Sequence, residues 1–388
     1  MDHLFWYPGH DLSLPDIVRA DNCRLYDTSG KSYLDLESGV WCTCIGHGRS
    51  EILKTITEQA AALAHTGFGF AAPRVNAAAG DVLALHGMDG GRAVFLCSGS
   101  EAVEFGIRVA RDALGDLRCL TMADSYFGAY GAAKDKDRWT LFDWHPCRDC
   151  ERSECDDKCT HWAAVPIHQI NFFVFEPGSA GGLVGFPPVQ LVRSIMDTIR
   201  NNGGLVMVNE VTTGMGRTAR WFGYEHYGIR PDIVAMGKGL GNGYPVSATA
   251  VSEKIYGMLP DRTIAYAQSH QNDPLGAAIV ATVIRVIREN GLIERAGRLS
   301  EILFTGLDRV GAATGRIKEI RGRGLMVAVE LNGDPGTTAK IRQALLDNGF
   351  VVAQRPGLNV LRLDPALTIS REDLEGFIRT LEAVLETV

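Results

Sequence analysis

Short, almost unbroken apolar runs, separated by stretches of helical period, are the feature that most restricts what this chain can become. Residues 93–96, 172–175, 205–208, 233–236 and 246–251 each read as a strand with no polar face. A strand that is apolar on both sides needs cover on both sides, which is the condition of a mostly parallel sheet packed between helices. The expectation is therefore an α/β fold with a large domain built on such a sheet.

After about residue 272 the pattern changes. A long helix opens at Asp273-Pro274, an N-cap followed by proline at the first helical position, and closes at Gly291. An extended run at 325–331 follows, then a helix over about 337–348, a short extended pair around Gly357, and a last helix capped by Ser370. This reads as a smaller α+β domain. A chain of 388 residues is long for one core. The division expected is an N-terminal segment 1–45 that packs with the small domain through extended pieces at 24–26 and 32–36, a large domain 46–272, and a C-terminal small domain 273–388.

Several classes are excluded by composition. A net charge of −7 argues against a nucleic-acid or anionic-membrane surface. No apolar run approaches the about 20 residues that cross a bilayer. The opening Met1-Asp-His-Leu-Phe-Trp6 has no basic region before an apolar stretch, so no secretory signal is expected. Nine cysteines without such a signal point to reduced thiols in a cytoplasm rather than to a disulfide framework.

Chemistry concentrates at strand ends. Lys238 lies in Met236-Gly-Lys-Gly239, at the end of an apolar run and between glycines. Desolvation there disfavours the ammonium form and gives an amine able to form a Schiff base near neutral pH. The alternative is a solvated lysine in a glycine-rich turn. Ser98-Gly99-Ser100 follows another strand and opens a helix, with Ser98 and Glu101 at capping-box spacing. Its amides and hydroxyls form a phosphate cradle, or simply a well-capped helix. Tyr126 sits in a turn beyond a third strand, where its ring can lie on an aromatic cofactor or fill the loop. Asn209 and Glu210 end a fourth strand, and buried groups there need partners. Lys238 follows Asn209 by 29 residues (238 − 209), about one crossover unit, so both can share one sheet edge.

With these residues in view the chain resembles the class III (subgroup II) aminotransferases, fold-type-I pyridoxal-phosphate enzymes. The likeness runs from Leu25-Tyr-Asp27 and Ser38-Gly-Val-Trp41 to Leu361-Arg-Leu-Asp-Pro365. It is most specific over Glu210–Pro245, with Thr-Gly-Met-Gly-Arg-Thr218 and Gly237-Lys-Gly239. The resemblance implies that Lys238 holds pyridoxal 5'-phosphate and shuttles the substrate proton. It implies that Ser98, Gly99 and Ser100 bind the phosphate and that Tyr126 stacks on the ring. Ser269 stands where the family has a threonine reaching the partner subunit's phosphate, which implies a homodimer with shared active sites. Arg362 matches the arginine that clamps the substrate carboxylate, a task suited to its planar fork.

The chain also departs from this family. Asn209 replaces the aspartate that keeps the pyridine nitrogen protonated, and an amide supplies no compensating charge. Either another carboxylate (Glu176 or Glu210) supplies it, or the enzyme runs chemistry that needs a weaker electron sink, or the residue is an introduced change. Thr212 replaces a glutamine near the cofactor's phenolic oxygen, and Phe127 a histidine. The run from Ser269 to Leu275 is similar to the dialkylglycine decarboxylase branch, but Val40 replaces that branch's glutamine, and Trp41 beside it narrows the substrate pocket.

A segment at 145–162 stands out as an insertion. Cys147, Cys150, Cys155 and Cys159 are spaced C-x2-C-x4-C-x3-C, flanked by His145 and His161. The pattern resembles a compact structural zinc site, with an iron–sulfur cluster or an unmetallated thiol-rich loop as alternatives. The remaining cysteines read as core fillers. Together these readings give an aminotransferase that moves an amino group from an amino acid to a 2-oxo acid through Lys238. A racemase, epimerase or decarboxylase on the same scaffold, or a silent zinc-stabilised cofactor-binding protein, are the alternatives.

Overall fold

All five apolar runs are strands of one seven-stranded sheet. Its spatial order is Arg92–Leu96, Ser247–Val251, Ile233–Met236, Leu205–Asn209, Phe172–Phe175, Cys119–Met122 and Thr140–Phe142. The computed structural model describes residues 3–5, 13–14, 16–67, 69–179, 183–355 and 357–387; the opening hexapeptide, on which the absence of a secretory signal was read, lies partly outside them. From Ile233–Met236 to Thr140–Phe142 the neighbours are parallel. Ser247–Val251 runs antiparallel to both of its neighbours. The cause is its short connection from Ile233–Met236, which holds the Lys238 turn and no crossover helix, and a parallel return needs a dozen or so residues.

Side chains alternate across this sheet as a period of two requires. Phe173, Phe175, Val206, Val208 and Val234 pack with Leu191, Val192, Ile195 and Ile199 of the helix Val189–Asn201. Phe172, Val174, Leu205, Met207 and Ile233 pack with Val103, Ile107 and Ala110 of the helix Gly99–Leu114 on the other face. Both faces are buried, which is why these strands are apolar throughout.

Two four-stranded sheets complete the chain. One joins Ile17–Asp21, Arg24–Asp27 and Ser32–Asp35 to Phe350–Val351, which pairs in parallel with Leu34 and Asp35. The other has the order Ile317–Arg323, Met326–Leu331, Val360–Leu363 and Ala353–Gln354, all antiparallel. The charged strand Ile317–Arg323 and the long helix Leu292–Thr314 were not expected from the sequence. The helix Pro274–Glu289 packs against Ser50–Ala62 and Pro73–His86. Asp273 stands at its N-cap and Pro274 at its first position, as expected, but the Asp273 carboxylate makes no cap bond and faces His65 and His270 instead. Ser370 does cap the last helix, Arg371–Thr387, accepting from the Asp373 amide at 2.9 Å. Among the described residues no helix is long and apolar enough to cross a membrane.

Candidate active site

Ser98, Gly99, Tyr126, Asn209, Thr212 and Lys238 lie just beyond the carboxyl ends of the central strands, where open α/β sheets place ligands. At the end of Arg92–Leu96, the Ser98 hydroxyl accepts from the Glu101 amide at 3.3 Å, and the Glu101 carboxylate accepts from the Cys97 amide at 3.0 Å. The capping box thus forms with its return bond one residue earlier. Gly99 and Ser100 open the helix, where amides have no helical partner. The Ser100 hydroxyl accepts from the Ala129 amide at 3.0 Å, tying this turn to the loop that carries Tyr126.

Glycine is required here by close approach. A Cβ on Gly99 would lie 2.6 Å from a Val211 methyl, and one on Gly237 would lie 3.2 Å from the Gly99 Cα. The Ser98 turn, the Lys238 turn and Val211 therefore close on one another. Val211 was not singled out in the sequence, and a valine after a strand end carries no signal of its role.

Lys238 sits in the left-handed region at φ 48°. Its amine donates to the Thr212 hydroxyl at 3.2 Å and lies 4.2 Å from the centre of the Trp41 ring. Desolvation lowers its pKa to about 8; Cys42 and Glu176 oppose the shift while Arg362 and Arg355 add to it. Such a lysine is a usable nucleophile and base near neutral pH.

Trp41 ends an unusual turn. Ser38, Gly39, Val40 and Trp41 have φ of 51°, 56°, 58° and 69°, a left-handed run rather than an α-helix. Asp35 pins it by accepting from the amides of Glu37 and Ser38, each at 2.9 Å, and the Ser38 hydroxyl donates to the Asp364 carbonyl at 2.7 Å. The Trp41 ring is buried, with Arg362 at 4.8 Å and Arg355 at 5.3 Å from its centre. Arg362 is fully buried and pairs with Asp364 at 3.0 Å, while its Nε and Nη1 have no partner among the described residues. Arg355 and Glu37, whose carboxyl burial pushes upward, also border this space and were missed; each lies just outside a run that the resemblance rests on.

Asn209 is held on both sides. Its Nδ2 donates to the Tyr126 carbonyl at 3.0 Å and its Oδ1 accepts from the Val211 amide at 3.1 Å. Of the two carboxylates considered as substitutes, Glu210 turns elsewhere: it accepts from Thr213, Gly223 and Tyr224, and burial pushes it up to about 7. Glu176 accepts from the Tyr126 amide at 2.9 Å, so it shapes the same loop that Asn209 holds. The Tyr126 side chain is half exposed, whereas Phe127 is buried on the face of the central sheet covered by the helix Gly99–Leu114. Ser269 is exposed on a turn anchored by Asn272, which exchanges two hydrogen bonds with Phe95 at 2.9 and 3.0 Å. The four cysteines of the 145–162 segment line one small cavity away from these residues.

The family model for class-III aminotransferases matches residues 7–129 and 144–385. Acetylornithine aminotransferase of Mycobacterium tuberculosis is 31% identical over 379 residues, covering 95% of this chain and 91% of the relative. A leucine/methionine racemase of Thermococcus litoralis is 29% identical, covering 96% and 90%. A Bacillus anthracis aminotransferase structure superposes with a TM-score of 0.89 at 24% identity, over 99% of this chain and 96% of that one. The chain belongs to the class-III aminotransferase family. It is an enzyme of pyridoxal-phosphate-dependent amino-group transfer.

Proposed function

We propose that Lys238 is the residue that carries the cofactor and moves the substrate proton in a transfer from an amino acid to a 2-oxo acid. The observation that carries this is the buried amine with its pKa lowered to about 8, lying between Thr212 and Trp41 at the strand ends. The residues present fit pyridoxal 5'-phosphate. Gly99 and Gly237 leave room for backbone approach, the first amides of the helix Gly99–Leu114 suit a phosphate, and Tyr126 is exposed to cover a ring. When bound, the cofactor stores the amino group and draws electron density from the substrate Cα.

The chain's own groups do the rest. Lys238, its amine partly neutral near pH 8, would take the substrate's Cα proton and hold it for return. Arg362 binds the substrate carboxylate with the donors that have no partner among the described residues. Trp41 covers the amine and keeps water from it. The exposed Ser269 turn serves the phosphate site of a second copy, making the enzyme a homodimer, and nine cysteines without a disulfide fit a reducing cytoplasm.

A second reading is favoured by Asn209, whose amide is taken by Tyr126 and Val211 and brings no charge: racemisation of an amino acid. One experiment separates them. Single amino acids are added to the holoenzyme without any acceptor, and the visible spectrum is followed alongside deuterium uptake at Cα. Loss of the yellow form to the pyridoxamine form, absent in Lys238→Ala, supports transfer. Deuterium uptake with the yellow form intact across a broad panel sinks it in favour of racemisation.

A further inference from the structure

We propose that Cys147, Cys150, Cys155 and Cys159 bind one zinc ion that fastens residues 143–162 between the Tyr126 loop and the C-terminal sheet. All four line one cavity of about 20 Å³, together with Phe142, Trp162 and Leu191 and the polar Arg152, Glu154 and Gln190. That is room for one water-sized body, the scale of a single ion. None of the four is in a disulfide. Tight turns fold each half back on itself: the Cys150 amide donates to the Cys147 carbonyl at 3.1 Å, and the Cys159 amide to that of Asp156 at 2.9 Å.

The structure also removes the flanking histidines from the ligand set. His145 bonds Asp143 at 2.8 Å and stacks on Trp144 with ring centres 4.6 Å apart. His161 engages the Asp143 carbonyl, and its ring packs edge-on against Phe142. Four sulfurs are left, which fill a tetrahedron and give a closed, structural site. Among the described residues only His65, His270 and Asp273 already hold three ligand atoms within 4.8 Å of one another. The four sulfurs therefore draw together when the ion enters, since Zn–S bonds of about 2.3 Å require tighter packing.

The segment has reason to need a staple. Between the strand Thr140–Phe142 and the helix Thr160–Ala163 its regular structure is one short turn, His145–Cys147. A stretch with so little ladder bonding and core gains most from a crosslink. Its anchors reach in three directions. Gln190 donates to the Cys150 carbonyl at 3.2 Å, and the Cys155 amide to the Ser194 hydroxyl at 3.4 Å. Arg148 pairs with Glu319 of the C-terminal sheet at 3.0 Å. Trp144 donates to Asp124 at 2.9 Å, two residues before Tyr126. The link to Tyr126 rests on the cofactor role proposed above; the ion itself does not.

The test is the metal content of the holoenzyme expressed with added zinc. One zinc per chain is expected, retained in His145→Ala and His161→Ala and reduced roughly tenfold or more in Cys150→Ser and Cys155→Ser. If the serine variants do not fold, mercurial titration of the intact enzyme against a zinc indicator gives the same answer, with zinc released as four thiols react. Cobalt exchanged for zinc should show thiolate charge-transfer bands. Purified enzyme with negligible zinc and no cobalt–thiolate bands overturns the proposal, as does iron with a visible cluster spectrum. Metal content is read without turnover, so a failure of the amino-transfer reading leaves this result intact.

Discussion

The side-chain amide of Asn209 donates to the main-chain carbonyl of Tyr126 at 3.0 Å, joining the end of the central strand to the loop whose ring is exposed. An aspartate there would set a carboxylate oxygen against a carbonyl oxygen with no donor between them. Asn209→Asp is therefore expected to destabilise the cofactor-free chain by about 1–3 kcal/mol. Added pyridoxal 5'-phosphate should raise the variant's melting temperature more than the wild type's, because the pyridinium returns a partner to the charge. Equal melting of the two cofactor-free proteins would sink this account.

Lys238 makes the cofactor-free chain pH-sensitive. Its folded pKa of about 8 lies below the ordinary 10.5, so between those values the unfolded chain holds a proton that the folded chain does not. Stability therefore rises with pH across that window, and the burden is complete below pH 8. Lys238→Met should stabilise the cofactor-free protein at pH 7 by up to about 3 kcal/mol, with the gain fading as pH approaches 10.5. Chemical denaturation at several pH values checks it; a gain independent of pH would count against a desolvated ammonium.

Val40 is a β-branched residue at φ 58° with its side chain half exposed. Such a conformation costs about 1–3 kcal/mol and is held by the Asp35 and Asp364 contacts around it. Val40→Gly should raise stability by about 1 kcal/mol after the entropy of glycine is counted. A lower melting temperature for this variant would show that the turn is not strained.

Arg362 and Asp364 form a fully buried pair. Removing the cation takes away the ion-pair partner of Asp364 and leaves only the buried Arg217 near its charge, so Arg362→Ala should cost about 3–5 kcal/mol of stability. Arg362→Lys keeps the charge but loses the planar fork, and should raise KM for donor and acceptor acids by more than it lowers kcat. A lysine variant with unchanged KM would remove Arg362 from carboxylate binding.

The strands that build the central sheet could be read because burial on both faces leaves an apolar run with no other explanation. Lys238, Asn209 and Ser98 were visible because each ends such a run. What stayed hidden lacked a local signature. The strand Ile317–Arg323 carries charges that pair across to Glu330, so its sequence looks like surface. Val211 and Arg355 matter through neighbours far along the chain, and spacing alone does not report such contacts. Glu210 looked like a spare charge beside Asn209, yet its carboxylate closes the turn at Gly223 and Tyr224.

Phe350–Val351 lies beside Ser32–Asp35, and Trp41 packs against Arg355 and Arg362. The edge of Ser32–Asp35 thus waits for residues more than 300 positions later in the chain before it is paired. Until then an extended, half-apolar hairpin stands open on a growing polypeptide, the condition under which nascent chains cross-pair with one another. Synthesis order, and not only the final energy, makes the wall of the Lys238 pocket a late part of this enzyme to be assembled.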